Sequence, residues 1–528
     1  MRRVVGIILV ALCWAATATA QTTTDALLDS LQHKSFLYFW YESNAANGLM
    51  KDRNTSGSPC SIASEGFGLS AICIAIDHGW ITRNEGKTRV LTALQTFWNS
   101  PQGTAASGTI GYKGFFYHFL DMSTGLRMVS WDPELSSIDT ALLLAGILDA
   151  KQYFTNSGDP VEAQIRALAD SINQRVDWAW MQNGNPGVMM GWKPSAGFSG
   201  FGQWVGYNEA MILYILALGS PTHAVAPAAW TTWTSGYLWA TNYYGQSFIV
   251  FPPLFGHQYS HCWIDFRNIW DSYLQGKGIT YFENSRRATY AQRAYCIANP
   301  LARAAYSDSM WGLTAGDGPT GYIARGAPPT DNDDGTLSPT APASSIAFAP
   351  EIAIPAIRNM YNTYKISIWG PYGFVDAFNP GRPWWDTDVI GIDQGPMVMM
   401  IENWRNQAVW TRFMRNPEIY AGLQRAGFTA SVADVGSRGP VAGPALLWSE
   451  PNPFADAVTL RFRLPAEGPV RLAVYDVSGR EVAKLADGVW PAGVHEVGWQ
   501  GGRLPSGVYY ARLQWNGGAV LKRLVRLD

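Results

Sequence analysis

The chain has no surplus of charge of either sign: 39 Lys and Arg stand against 41 Asp and Glu, for a net charge of −2. Without a basic excess there is no electrostatic footprint for nucleic acid or for an anionic membrane surface. Cysteine is scarce, five in 528 residues, and none falls in a CxxC pattern, which excludes zinc-ribbon and dithiol redox chemistry. HExxH, GxSxG, GxGxxG and phosphate-loop motifs are all missing. That removes zincins, serine hydrolases of the nucleophile-elbow type and dinucleotide or nucleotide enzymes, and no cofactor or metal is expected. Beyond the N-terminus no apolar run approaches the about 20 residues that cross a bilayer, so membrane insertion is not expected either.

What is abundant is aromatic: 24 Trp, 24 Tyr and 22 Phe. Flat rings with a hydrogen-bonding edge suit the apolar faces and hydroxyl rims of sugars, and they also pack large cores. The first twenty residues read as an export signal. Arg2 and Arg3 precede an apolar stretch from Val4 to Trp14, and Ala18-Thr19-Ala20 is a small-residue cleavage site. The mature chain is expected to begin near Gln21 and to be secreted, periplasmic or on the cell surface. Cys60, Cys73, Cys262 and Cys296 then remain, either as structural thiols or in one of three possible pairings.

From Asp25 to about Phe428, periodic apolar segments alternate with loops rich in Gly, Pro and aromatic residues. The periodicity predicts helices near 24–42, 62–79, 84–99, 136–155, 160–181, 206–219, 224–241, 260–275, 284–299, 347–363, 392–406 and 409–425. Several are apolar nearly all round, such as TALLLAGI from Thr140 and AMILYILALG from Ala210. Helices of that kind are buried on two sides. Twelve helices make six hairpins, which points to an all-α (α/α)6 toroid over 21–432. Near 436 the composition changes: Ser437-Arg438-Gly439-Pro440 and Ala442-Gly443-Pro444 read as a linker, 433–445. Alternating runs follow over Val458–Leu464, Val470–Asp476, Gly507–Leu513 and Val520–Leu527, with turn signals at Ser478-Gly479, Asp487-Gly488 and Asn516-Gly517. They predict a small β-sandwich over 446–528 with no aromatic strip or carboxylate pair, so a passive or export-related role is favoured over sugar binding.

Long loops at 107–130, 248–266 and 311–345 are aromatic rather than low in complexity, which marks them as functional. Acidic residues stand in apolar or aromatic surroundings at four places, where an ionised group is costly without a role. Asp132, Glu134 and Asp139 lead into the TALLLAGI helix, and Glu209 opens AMILYILALG. Asp386, Asp388 and Asp393 precede GPMVMMIENW, and Asp265 with Arg267 follows His257-Gln258-Tyr259-Ser260-His261. Each acid near a helix start is also an ordinary cap, satisfying amides and opposing the macrodipole. Taken as a set beside Trp, Tyr and Gly-rich loops, they suit glycoside hydrolysis, which needs two carboxyls flanking one bond. The His, Gln and Arg of HQYSHCWIDFR suit a hydrogen-bonded wall for sugar hydroxyls.

The motifs themselves are family-specific. GYKGFFYHFLDMSTGLR (111–127), ELSSIDTALLLAG (134–146), GYNEAMILYILALGSPTH (206–223), LFGHQYSHCWIDFR (254–267), YFENSRRATYAQRAYCIANP (281–300), WGLTAGDGPTGY (311–322), DDGTLSPTAPASSIAFAPEIAI (333–354) and GIDQGPMVMMIENW (391–404) cover most of 25–428. On these residues the chain resembles the bacterial glucoamylase-like proteins of glycoside hydrolase family 144. SEPNPFADAVTLRF and SGVYYARL resemble the FlgD-type immunoglobulin-like domains of exported proteins.

The resemblance implies an (α/α)6 toroid that cleaves β-1,2-glucan with inversion, acting within chains or releasing sophorose from their ends. A silent glucan-binding protein is the rival from another class. The resemblance implies Asp139, Glu209 and Asp393 as the catalytic acids, with Glu134 close behind. Substrate contacts are expected from Tyr112, Lys113 and His118 in the first motif and from Trp204 and Tyr207 around the third. The wall residues His257, Gln258, His261, Asp265 and Arg267 join them, as do Glu283, Asn284, Trp311 and Trp385. The partner expected is a glucan polysaccharide or oligosaccharide, and the protein is expected to be a monomer.

Overall fold

The computed structural model describes residues 26–430 and most of 446–527, with 451–453, 465–466, 478, 492, 503 and 516–517 excepted. The expected export signal and the linker at 433–445 lie outside the described residues. The chain forms two compact units that divide between Thr429 and Ala430.

The first unit is helical. In chain order its layers are built from α1 (26–41), α2 (Ile62–Asp77), α3 (Arg83–Asn99), α4 (Ser137–Tyr153), α5 (Pro160–Arg175) and α6 (Met211–Gly219). Next come α7 (Ala228–Thr234), α8 (Phe255–Trp263), α9 (Tyr281–Ala298), α10 (Thr340–Ala343), α11 (Pro350–Ile368) and α12 (Gly391–Asn406). The short α13 (Ala408–Phe413) and α14 (Pro417–Arg425) follow. Burial separates two layers. Fourteen of the 16 residues of α2, 13 of the 17 of α4 and all nine of α6 are buried. In α3 and α5 only five residues of 17 and of 16 are, the one-sided pattern of a helix with a wet face.

The buried helices α2, α4, α6, α8, α10 and α12 close a ring. A Cβ on Gly66 would lie 2.1 Å from the Leu142 carbonyl oxygen, and one on Gly146 would lie 2.0 Å from that of Gly66, so α2 and α4 cross backbone to backbone. From α6 to α8 the Ile212 amide donates to Ser260 Oγ at 3.0 Å. From α8 to α10 Gln258 Nε2 donates to the Ala341 carbonyl at 2.8 Å. From α10 to α12 Thr340 Oγ1 donates to the Asp393 carbonyl at 3.0 Å. From α12 back to α2, Gly395 leaves room for Phe67, whose Cβ would stand 2.3 Å from an added methyl.

The inner helices run in one direction, and α13 and α14 close the end where they finish. Arg412 donates twice to Asp149 at 2.7 Å, Trp410 Nε1 donates to the His261 carbonyl at 2.6 Å, and Arg425 donates to the Leu218 carbonyl at 2.7 Å. The expected single ring helix at 409–425 is therefore two floor helices, because Pro417 disfavours helical geometry at Asn416 and restarts the chain. The ring place goes instead to α10, a single turn inside the expected loop 311–345. Two other expected helices are shorter. The segment at 224–241 is helical only over α7 and continues into a hairpin, Trp239–Tyr243 with Gln246–Ile249. The segment at 260–275 begins earlier, at Phe255, and α8 ends at Trp263. Cys60, Cys73, Cys262 and Cys296 are separate buried thiols.

The second unit is all β. Its strands are β1 (Leu446–Glu450), β2 (Ala457–Leu464), β3 (Gly468–Asp476), β4 (Glu481–Trp490), β5 (Gly493–Gln500), β6 (Gly507–Trp515) and β7 (Gly518–Arg526). They form antiparallel sheets of order β1-β2-β5 and β4-β3-β6-β7. Val458, Leu460 and Phe462 of one sheet share a core with Leu472, Val474 and Leu513 of the other. Asp487-Gly488, read as a turn, lies inside β4.

A Gly146→Ala substitution is expected to lower stability by about 2 kcal/mol or more through overpacking. Gly202, where an added Cβ meets nothing within 4 Å, serves as the control. Calorimetric melting of the two alanine variants checks this, and equal melting temperatures would remove the tight crossing.

Candidate active site

The acids gather where the inner helices begin. Ser136 caps α4 by accepting from the Asp139 amide, and its hydroxyl also touches the Asp139 carboxylate. The cap is thus Ser136 and not Asp139, whose carboxylate has His118 as its other neighbour, with Nε2 3.6 Å from Asp139 Oδ2. The His118 Nδ1 stands 3.0 Å from Glu134 Oε1, and the backbone locks the two together through His118 N–H to the Glu134 carbonyl at 2.9 Å. Burial alone would lower the His118 pKa, but Asp139 and Glu134 outweigh it and hold the ring at about 9. The imidazolium in turn holds Glu134 below the usual carboxyl range against the effect of its own burial.

Glu209 sits in the turn before α6. That turn passes through Gly206 at φ +87°, where an added Cβ would lie 3.0 Å from the Gly236 carbonyl oxygen. Desolvation, with the Asp139 charge adding to it, raises the Glu209 carboxyl to about 7. Across the mouth, Asp393 in the first turn of α12 is 3% exposed and Asp376 is 1% exposed. The two carboxyls are close enough to act on each other. Burial raises both, and Asp393 lies at about 7. Arg53 is the local cation, reaching Asp317 at 2.8 Å, Asp388 at 2.9 Å and Asp52 at 3.3 Å.

These groups form a closed circuit of electrostatic neighbours. Asp139 meets His118, which Asp52 feels; Asp52 feels Asp317, and Asp317 acts on Asp376 and Asp393. Tyr259 of α8 feels both Asp393 and Glu209, and Glu209 feels Asp139. Asp139 and Glu134 are thus joined through His118, Glu209 lies within electrostatic reach of Asp139, and Tyr259 lies within reach of both Glu209 and Asp393. Beside them lies an apolar rim: Phe119 stacks on His118 at 4.0 Å, and Trp131, 51% exposed, packs edge-on against Phe119 at 5.0 Å. Among the described residues, two groups have ligand atoms close enough to share a cation: His118, Glu134 and Asp139, and Asp317, Asp386 and Asp388. In the first the imidazolium is itself the cation, and in the second Arg53 supplies the charge.

Most of the expected sugar contacts are elsewhere. Tyr207, His257, Gln258, His261, Asn284 and Trp311 are core residues. Tyr207 packs against His257 at 4.8 Å, and burial pushes His257 and His261 down to about 3, so both are neutral. Gln258 ties α8 to α10, and Asn284 Oδ1 accepts the Ile249 amide at 2.7 Å. Asp265 and Arg267 form a paired bridge past the C-terminus of α8, at the floor end, with Arg267 over Trp410. Glu283 pairs along α9 with Arg287 at 2.9 Å, and Lys113 pairs with Asp177 at 3.3 Å. Trp204 donates to Ser137 Oγ at 3.0 Å and braces the start of α4. Tyr112 joins an aromatic cluster with Trp180 and Trp192, while Trp385 lies parallel to Phe378. Only His118 of that set meets the catalytic candidates.

Conversely, Asp52, Arg53, Asp317, Asp376 and Tyr322 belong to the mouth and were not among the expected residues. Asp317 lies in WGLTAGDGPTGY, a matched motif, so that signal was present; Asp52, Arg53 and Asp376 lie in connections with no periodicity or motif to mark them.

Residues 202–417 match the family model described as "Putative glucoamylase". A solved structure under the same description from Bacteroides uniformis is 33% identical, covering 77% of this chain and 98% of its own, with a TM-score of 0.70. An endo-β-1,2-glucanase from Chitinophaga pinensis, solved with sophorotriose and glucose, is 29% identical over 77% of this chain and 99% of its own, with a TM-score of 0.71. An exo β-1,2-glucooligosaccharide sophorohydrolase acting at the non-reducing end, from Parabacteroides distasonis, is 30% identical over 441 residues and 78% of this chain. The chain spans 59% of the length of that curated relative. The ring with its acid-lined mouth defines a helical toroid of the glucoamylase-like class. The chain belongs to the glucoamylase-like family, in the group of glycoside hydrolase family 144.

His118 is expected to titrate near 9 rather than near its ordinary 6.5. Because the folded value is the higher, its contribution to stability is complete below about 6.5 and is lost as the pH rises through about 9. An NMR titration of the imidazole resonances checks this, and a midpoint near 6.5 would show that the two carboxylates do not hold it.

Proposed function

We propose that the chain is an inverting endo-β-1,2-glucanase. The observation that carries this reading is the Glu209 carboxyl, held near pH 7 by desolvation in the same mouth as Asp393 and beside an exposed aromatic rim. An acid that keeps its proton near neutrality is suited to protonate the leaving glycosidic oxygen. A carboxylate on the other side takes a proton from water, and that water attacks the anomeric carbon from the face opposite the leaving group. Glu209 is the general acid in this reading and Asp393 the base. Asp139 acts through Glu209 by raising its pKa, and the His118 imidazolium keeps Glu134 charged. Phe119 and Trp131 offer a flat surface for a sugar ring.

The names of the relatives support β-1,2-glucan as substrate. Internal cleavage is favoured over release of sophorose from an end because the chain covers 99% of the Chitinophaga endoglucanase and only 59% of the sophorohydrolase. The N-terminal 20 residues are proposed as an export signal, and the second unit as an immunoglobulin-like appendage of an exported monomer.

Glu209→Gln keeps the shape of the side chain and removes its proton, so kcat is expected to fall about a thousandfold with the melting temperature unchanged. Near-normal turnover would remove Glu209 from the reaction. In the unaltered enzyme kcat/KM should fall about tenfold per pH unit above about 7, as free-enzyme Glu209 ionises. Early products from β-1,2-glucan should span a ladder of lengths. Sophorose as the sole early product selects the exo reading, and tight binding with no reducing ends released selects a glucan-binding protein.

A further inference from the structure

The mouth holds more carboxyl groups than a two-acid reaction requires, and two of them are in contact. Asp376 is 1% exposed and Asp393 3% exposed, and the two side chains lie within hydrogen-bonding reach of each other. Asp376 Oδ1 and Asp393 Oδ2 are both buried, and among the described residues no N–H or O–H reaches either. The second oxygen of Asp376 is spoken for: its Oδ2 accepts the Asp317 amide at 2.5 Å. Two ionised carboxylates cannot stand in contact away from water without a cation between them. The nearest cation, Arg53, is committed to Asp52, Asp317 and Asp388.

We infer that Asp376 and Asp393 hold one proton between them, and that Asp376 is the positioning residue that orients Asp393 and keeps it ionised for attack on water. The inference rests on the reading of Asp393 as the base. One shared proton satisfies both orphan oxygens at once, since a protonated carboxyl is a donor and a carboxylate only an acceptor. Asp376 is the member held for this task. Its amide donates to the Asp388 carbonyl at 2.9 Å, and Gly316 lies so close that an added Cβ would stand 2.9 Å from Asp376 Oδ2. The charged and titratable groups facing the pair are Asp52 and Arg53 from the loop before α2 and Asp317 and Tyr322 from the 315–322 loop. Tyr259 of α8 faces Asp393 as well. Apart from Arg53 all are acids or phenols, so the surroundings favour the single-proton state over the doubly ionised one.

The proton count closes through the cycle. Before attack the pair carries one proton and a charge of −1. Water gives its oxygen to the anomeric carbon and one proton to Asp393, so the pair becomes doubly protonated and neutral. The proton that Glu209 donates leaves on the departing sugar; the pair then releases one proton to solvent and Glu209 takes one back from solvent, which restores both.

Two variants and an activity-independent spectrum test this. Asp376→Ala removes the donor and leaves Asp393 buried alone, so the acid limb of the kcat profile should move up by about one pH unit or more. Turnover at neutral pH should fall about a hundredfold. Asp376→Asn restores a donor without a titrating proton, and it should recover most of the turnover with the acid limb at or below that of the parent. If both variants keep the parental acid limb, or if Asn fails as Ala does while folding normally, the inference is overturned. Infrared difference spectra of Glu209→Gln against Glu209→Gln with Asp376→Asn at pH 7 should show the loss of one buried carboxylic-acid C=O band, and an unchanged band region overturns it too. That spectrum needs no turnover. An inactive parent protein would sink the glucanase reading and leave the shared proton standing or falling on the infrared result.

Discussion

Everything at the mouth depends on six inner helices packing closely, backbone against backbone where α2 meets α4. At the Gly66–Gly146 crossing and at Gly395 against Phe67 there is no space for a side chain. Drawing the helices in so far brings their starts together around one opening. Two consequences follow that oppose each other. The positive ends of several helix dipoles converge and favour anions, while the same closeness strips water from any carboxyl placed there and disfavours them. Glu209 and Asp393, both near 7, lie where desolvation prevails. Glu134, held down by an imidazolium 3.0 Å away, lies where a countercharge prevails.

The opposite end of the ring is organised by the reverse need. The last turns of the inner helices leave carbonyls without partners, and α13 and α14 cover them with donors: Trp410 on His261, Arg425 on Leu218 and Asn416 on Leu148. The Arg412–Asp149 pair seals the centre, fully buried and doubly hydrogen-bonded. Removing one partner of such a pair costs about 3–5 kcal/mol because the other charge stays buried. The floor therefore makes the cup one-sided, with rigidity below and ionisable groups above.

Charge at the mouth is scarce on the positive side. His118 and Arg53 face Asp52, Glu134, Asp139, Glu209, Asp317, Asp376, Asp386, Asp388 and Asp393. Two cations, with Lys193 acting on Glu134 as well, are too few to hold nine carboxylates ionised in a desolvated place, so protons make up part of the difference. Burial pushes Asp386 up to about 6, and Glu209 and Asp393 lie near neutrality. That shortage, rather than any single side chain, is what leaves several carboxyls titrating close to neutral pH.

The sequence by itself determined the helical class, the β-rich C-terminal part and the cluster of acids at helix starts. The all-round apolar runs of α4 and α6 allow nothing but burial on two sides, and the acids before them interrupt that pattern visibly. It did not show which polar residues face the opening. Tyr207, His257, Gln258, His261 and Asn284 look like sugar ligands by type, yet each is buried and bonds within the core, to a neighbouring helix, loop or strand, a fact of helix rotation that no motif encodes. Asp376 and Arg53 were silent for the opposite reason: they stand in connections without periodicity, and only closure of the ring carries them to the mouth. The number of ring helices, twelve, matches the expectation through two compensating errors, since Pro417 splits one expected member into the floor and the single turn of α10 takes its place. Local pattern settles which residues leave water, whereas the meeting of distant residues is set by how the ring closes.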